Sequence, residues 1–192
     1  RQSRPERSLS ELRLLVSMVG SDPGGLVFTA LGALARLANP PEVKLVLGPA
    51  FEDRERFVCV MSALDPALMD RIQVIDGTPD LPALMAVSDL ALLAFGVTAY
   101  EAAVLGLPAI HLCLTLDHAD SARSFTEEGA ALSLGHHLET SAIEVAHAIE
   151  QLGDDGAIRE AVGKRAHALV DGRGAERIAR RIIDALDEGV SR

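Results

Sequence analysis

The chain has 192 residues, 48% of them hydrophobic, with a formal net charge of −10 and a pI of about 5.0. That is enough chain for one domain with a full core, and too apolar for a disordered segment. The charge has the wrong sign for neutralising the phosphates of a nucleic acid. Five Phe, one Tyr and no Trp leave no stacking platform for single strands. The core must therefore be built from Ala, Leu, Val and Ile.

Cys59 and Cys113 form neither a disulfide framework nor a CxxC metal site. Both lie in apolar stretches and read as inert buried thiols, which suits a reducing cytoplasm. No run approaches ~18 consecutive apolar residues, so no membrane span is expected, and no signal peptide is expected either. The polar, Arg-rich start suggests that residues 1–11 are a linker or cut end of a longer protein, with the folded domain over 12–192.

Leu12 to Val19 is a short apolar run closed by Gly20, the pattern of a buried strand. Gly20 to Gly25 is a turn, and Leu26 to Leu37 a helix stopped by Pro40 and Pro41. Val43–Leu47 reads as strand two, Glu52–Leu64 as a helix and Ile72–Ile75 as strand three. A loop over Gly77–Pro82 leads to a short helix at Leu84–Val87. Leu90–Ala94 is strand four, Thr98–Leu105 a helix, Ala109–Leu114 strand five, Asp117–Glu128 a helix and Ala130–Leu134 strand six. Helices follow at Ser141–Leu152, Ala157–Val170 and Ala175–Leu186. No repeat or low-complexity segment interrupts this order. Near-continuous apolar strands separated by helices predict an α/β fold, a doubly wound parallel six-stranded sheet of Rossmann-like type with a helical carboxyl-terminus.

In such a sheet, ligands bind beyond the carboxyl ends of the strands. Three loops stand out. Gly20-Ser21-Asp22-Pro23-Gly24-Gly25 would let a backbone approach an anion, or would simply turn the chain with Ser21 or Asp22 as helix cap. Phe95 to Glu101 contains Thr98-x-x-Glu101, formally a capping box; alternatively, the helix start holds a diphosphate while Glu101 grips a ribose diol. Thr115 to Asp120 offers Asp117 and His118, with Asp117 a possible helix cap. Neither GxGxxG, GK[ST] nor GxSxG is present. No Lys or Arg lies between Arg71 and Arg123, whereas Asp76, Asp80, Asp89, Glu101, Asp117 and Asp120 do. A phosphate bound here is thus expected to rest on backbone amides and helix dipoles.

The histidines read as secondary. His111 sits on strand five as a satisfied interior residue, and His111, Asp117 and His118 lack a further ligand at metal-site spacing. No metal and no cofactor is expected. His136 and His137 read as solvated, and His147 and His167 as facing water or a partner. Arg173, Arg177, Arg180 and Arg181 make the last helix basic, as a solvated face or a docking surface.

Taken in order, GSDP after strand one, GVTAYEAAVLGLPAI after strand four, TEEGAA before strand six and VDGRGAERI near the end resemble a known family. They are similar to the carboxyl-terminal domain of GT-B-fold nucleotide-sugar enzymes. Within that family they resemble the group holding the UDP-sugar hydrolase of pseudaminic acid biosynthesis and the related spore-coat polysaccharide protein. The peptidoglycan N-acetylglucosaminyltransferases are a more distant likeness. The resemblance runs from Leu12 to the end.

It implies a UDP or UDP-sugar ligand. Gly20, Ser21 and Asp22 would lie beside the diphosphate or sugar, and Gly77, Thr78 and Leu81 would border the uracil. Gly96, Thr98 and Ala99 would meet the diphosphate, Glu101 would hold the ribose, and Asp117 and His118 would lie near the sugar. It also implies that the catalytic residues belong to an amino-terminal domain that nothing here matches. Val19, Phe95, Val97 and the Asp117-His118 pair depart from the family pattern. Two functions follow: the nucleotide-sugar half of a hydrolase or transferase acting on a UDP-linked amino sugar in surface or flagellar glycan synthesis, or a non-catalytic Rossmann-like domain that binds a partner or forms a homo-oligomer, its pocket degenerate.

Overall fold

The computed structural model describes residues 8–18, 20–78 and 80–190, the last four in backbone alone. Residues 1–7, Val19, Pro79 and 191–192 lie outside it, so the expectation of a linker over 1–11 is largely outside the described residues.

Six strands form one parallel sheet: β1 (Arg13–Ser17), β2 (Glu42–Leu47), β3 (Ile72–Asp76), β4 (Leu90–Ala94), β5 (Ala109–Cys113) and β6 (Leu132–His136). Their spatial order is β3-β2-β1-β4-β5-β6, the doubly wound arrangement the sequence predicts. The helices are α1 (Leu26–Leu34), α2 (Arg54–Ser62), α3 (Pro66–Met69), α4 (Leu81–Ala86), α5 (Val97–Val104), α6 (Leu116–Glu127), α7 (Ala142–Gly153), α8 (Gly156–Leu169) and α9 (Gly174–Val190).

The central strands are buried on both faces because helices cover both, whereas the edge strands β3 and β6 are only partly buried. Leu14, Val16, Leu45, Leu92 and Ile110 pack toward α1 and α7; Leu15, Val46, Ala91, Leu93 and Ala109 pack toward α4 and α5. A third cluster, of Phe95, Cys113, Phe125 and small residues, fills the space between β5, α5, α6 and α8. Its alanines, Ala99, Ala103, Ala122 and Ala166, let these helices approach closely.

Several boundaries move, each for a local reason. β1 ends at Ser17, its last partner on β2 and β4, although the apolar run continues; Met18 is buried by packing alone. The short α3 is new: Asp65 caps it by accepting from the Ala67 amide at 2.8 Å. α4 begins at Leu81, not Leu84, because the Asp80 carboxylate accepts from the Ala83 amide and Pro82 sits where a helix needs no donor. β6 starts two residues late, since the amides of Ala130 and Ala131 turn back to the Phe125 carbonyl. Cys113 is buried as expected, whereas Cys59 is exposed on α2.

Among the described residues, no helix is long and apolar enough to cross a membrane.

Candidate functional site

The strand order reverses between β1 and β4, so their following loops diverge and leave a crevice at the carboxyl edge of the sheet. The loop after β1 forms one wall. Its Asp22 is only 7% exposed and adopts a left-handed φ of 45°. That conformation aims the carboxylate back at α1, where it accepts from the amides of Leu26 and Val27, both at 2.8 Å. Burial raises the Asp22 pKa, against the opposing pull of those two amides and of the nearby His137. Asp22 thus serves its own helix, and the start of α1 is closed. Gly20 and Ser21 are exposed. The Gly20 carbonyl accepts from the Ala50 amide and packs on Gly48, where any side chain would collide with it.

The other wall is different. α5 starts at Val97, one residue before Thr98, with Gly96 as its cap residue. No side chain caps this helix, so the Thr98–Glu101 capping box does not form. Thr98 lies inside the first turn, and the cap position belongs to a residue with no side-chain acceptor. Thr98 and Glu101 are half-buried, and a Cβ on Gly96 would meet open space. Ala99 donates its amide to the Gly96 carbonyl and buries its methyl in the third cluster. The end of α5 is therefore open, with a hydroxyl and a carboxylate within one turn of it.

Beyond β3, Gly77 turns the chain with a φ of 69°, and the Thr78 hydroxyl accepts from the Asp80 amide. Leu81 is half-buried at the start of α4. Here the structure brings in a cation that the Arg71–Arg123 gap concealed. Arg54, at the start of α2, makes a two-pronged pair with Asp76, both bonds at 2.8 Å. The pair holds the Asp76 pKa down and engages both terminal nitrogens of the guanidinium.

After β5, Thr115 caps α6 by accepting from the His118 amide at 3.1 Å; Asp117 does not cap and stands exposed. The His118 ring joins a cluster with Phe95, Tyr100, His111 and Phe125, centroids 5.3–6.2 Å apart. His111 is buried as expected but not satisfied: neither ring nitrogen has a partner, nor does Nδ1 of His118. Burial drives the His111 pKa down from 6.5 to about 4, so the ring is neutral. Among the described residues no group of three or more His, Cys, Asp or Glu is placed to hold a metal.

His136 and His137 are half-buried rather than solvated, rings 4.8 Å apart. His137 sits over Gly24, whose missing Cβ would lie 3.0 Å from its Cε1. His147 is exposed; His167 is exposed but bonds the Val104 carbonyl through Nδ1 at 2.6 Å.

No family model matches the sequence. Over 182 residues the chain is 27% identical to the spore coat polysaccharide biosynthesis protein SpsG of Bacillus subtilis (strain 168), which covers 92% of this chain and 51% of that protein. The crystal structure of Anabaena HepE in complex with UDP-glucose superposes with a TM-score of 0.74 at 20% identity, covering 91% of this chain and 48% of that one. Acinetobacter baumannii MurG gives a TM-score of 0.74 at 18% identity, covering 94% of this chain and 55% of that one. The chain thus spans about half the length of the proteins it matches. Its fold is that of the carboxyl-terminal domain of GT-B glycosyltransferase-like proteins, and its sequence is similar to a member of the spore-coat polysaccharide group.

Proposed function

We propose that this chain is the UDP-sugar-binding half of a GT-B-type enzyme of polysaccharide biosynthesis. The observation that carries the reading is the uncapped start of α5 at the β1/β4 crevice, with Thr98 and Glu101 released from capping. Free amides and the helix dipole there suit a diphosphate, and a carboxylate one turn on suits a ribose diol. Gly96 leaves room for the approach. The likeness to HepE, crystallised with UDP-glucose, supports the choice of ligand. Uracil would then lie toward Gly77, Thr78 and Leu81, and the sugar toward Asp117 and His118.

In this reading water or an acceptor hydroxyl attacks the anomeric carbon of a UDP-linked amino sugar. The UDP leaves with its charge held at α5. The groups that activate the attacking oxygen belong to a second domain, in the part of the full-length protein that this chain does not span. Helix α9 supports such a partner. Ile178, Ile182, Ile183 and Leu186 share one side of it, and all are more than half exposed. Such a broad apolar stripe suits burial against another body. Cytoplasmic action belongs to the same reading.

A second reading, a binding module with an idle pocket, draws on one observation: Asp22 fills the amides of α1, so only one of the two helix starts is open. Calorimetric titration of UDP separates the two. The enzyme reading expects heat of binding that Glu101→Ala reduces at least tenfold, about 1.4 kcal/mol. No heat at roughly millimolar UDP would favour the idle module.

A further inference from the structure

We infer that Arg54 and Asp76 are positioning residues for the nucleotide base: their ion pair holds the loop after β3 in the shape that reads uracil. The inference rests on the nucleotide-sugar reading, which puts uracil against Gly77, Thr78 and Leu81. It adds to that reading two residues that act without touching the ligand.

Asp76 is the last residue of β3, and Gly77 follows it directly into the loop. β3 lies at the edge of the sheet and pairs with β2 alone. Little else holds its carboxyl end. The final pairing sets Asp76 beside Leu47, and the Gly77 amide donates to the Leu47 carbonyl at 2.9 Å. A Cβ on Gly77 would meet nothing within 4 Å, so packing does not fix the point where the chain turns at a φ of 69°. The other bonds of the loop are internal. The Thr78 hydroxyl accepts from the Asp80 amide, and the Asp80 carboxylate accepts from the Ala83 amide. Among the described residues, Arg54 alone brings a side-chain hydrogen bond from another element to this turn.

Arg54 has a rigid footing. It opens α2, and one turn on Phe57 is buried in the core and packs edge-on to Phe51 at 5.9 Å. Its two terminal nitrogens donate to the two Asp76 oxygens at 2.8 Å each. This fork fixes the carboxylate in plane and distance, and so tethers the carboxyl end of β3 to α2.

Both side chains are about half exposed, so the pair adds little to the stability of the whole domain. Its effect belongs to the loop. A ligand that needs one loop shape binds more weakly in proportion to the fraction of molecules that hold it. The start of α5 follows β4, three places from β3 in the sheet. Cutting the tether should therefore cost affinity for the base and spare the diphosphate end.

The test titrates UDP and ADP, which share ribose and diphosphate and differ in the base. The proteins are the wild-type chain, Arg54→Gln, Asp76→Asn, and the reversed pair Arg54→Asp with Asp76→Arg. The wild type should prefer UDP. Either single variant should weaken UDP about fivefold and leave ADP and the melting temperature unchanged, and the reversed pair should return UDP to within about twofold of wild type. Single variants that bind UDP within about twofold of wild type overturn the inference and leave the nucleotide reading standing. So does a reversed pair as weak as the single variants. Equal weakening of UDP and ADP, or tighter binding of both by Asp76→Asn, also overturns it, since Arg54 would then act on the diphosphate end. A wild type that binds the two nucleotides equally well overturns it too, because the loop would not read the base. A wild type that binds neither overturns both readings.

Discussion

Replacing His111 with Leu should make the protein less sensitive to mild acid. His111 is 1% exposed, its nitrogens are unpartnered, and its ring packs edge-on to Phe95 and Phe125 at 5.4 Å each. Burial lowers its pKa from 6.5 to about 4. The folded value lies below the unfolded one, so in the window between them the unfolded chain binds the proton first. The contribution of His111 to stability is whole above the unfolded value and shrinks as the pH falls toward the folded one. At about pH 5 this linkage removes about 2 kcal/mol from the wild type. Leu has no such term. At about pH 7.5 the variant gains ~1–3 kcal/mol by removing unpaired nitrogens and loses ~0.5–1.5 kcal/mol per ring contact, so the two proteins should be close. Urea unfolding at both pH values measures the difference, and the carboxylates common to both proteins cancel. If the variant's stability falls with pH as steeply as the wild type's, within ~0.5 kcal/mol, His111 is not a buried neutral imidazole.

Asp22→Ala removes two carboxylate–amide bonds at the start of α1 and places a Cβ-bearing residue without local bonding at a φ of 45°. It should cost roughly 2–3 kcal/mol in urea unfolding, of which Asp22→Gly recovers the backbone part. In amide-resolved NMR, UDP should shift the Val97 and Thr98 amides and leave those of Leu26 and Val27 in place; the reverse pattern would move the diphosphate to the other wall.

The sheet was legible because buried parallel strands are written as uninterrupted apolar runs, and Gly and Pro punctuate them. The central strands follow from that signal; the edge strands β3 (IQVID) and β6 (LSLGH) are mixed and only partly buried, and their place in the α/β order carries them. Strand ends were less legible, since an apolar run such as Leu12 to Val19 records burial while a strand records pairing. The positions of the candidate residues were legible to the level of loops. Gly96, Thr98 and Glu101 are found at one helix start, and Asp22 at another, as expected. What the sequence hides is long-range pairing. Arg54 and Asp76 are 22 positions apart, and nothing local announces their two-pronged bond. His137 and Gly24 are brought together only by the fold. His111 reads as an ordinary interior residue because spacing shows burial and not whether a partner exists.

The two helix starts that flank the crevice show why motif reading alone was ambiguous. Both carry residues that can cap: Asp22 ahead of α1 and Thr98 with Glu101 at α5. In the first, the carboxylate closes the helix from four and five residues upstream, at the cost of a left-handed backbone. In the second, the residues spell a cap, but the helix begins before Thr98, at a glycine with nothing to offer. The same residue types therefore have opposite standing. Asp22 is spent on folding, and an anion approaching α1 would meet a carboxylate. Thr98 and Glu101 are not spent, and an anion approaching α5 meets amides, a hydroxyl and space. On the nucleotide-sugar reading proposed above, this asymmetry, rather than the presence of either motif, is the reason to look for the diphosphate on the β4 side of the crevice.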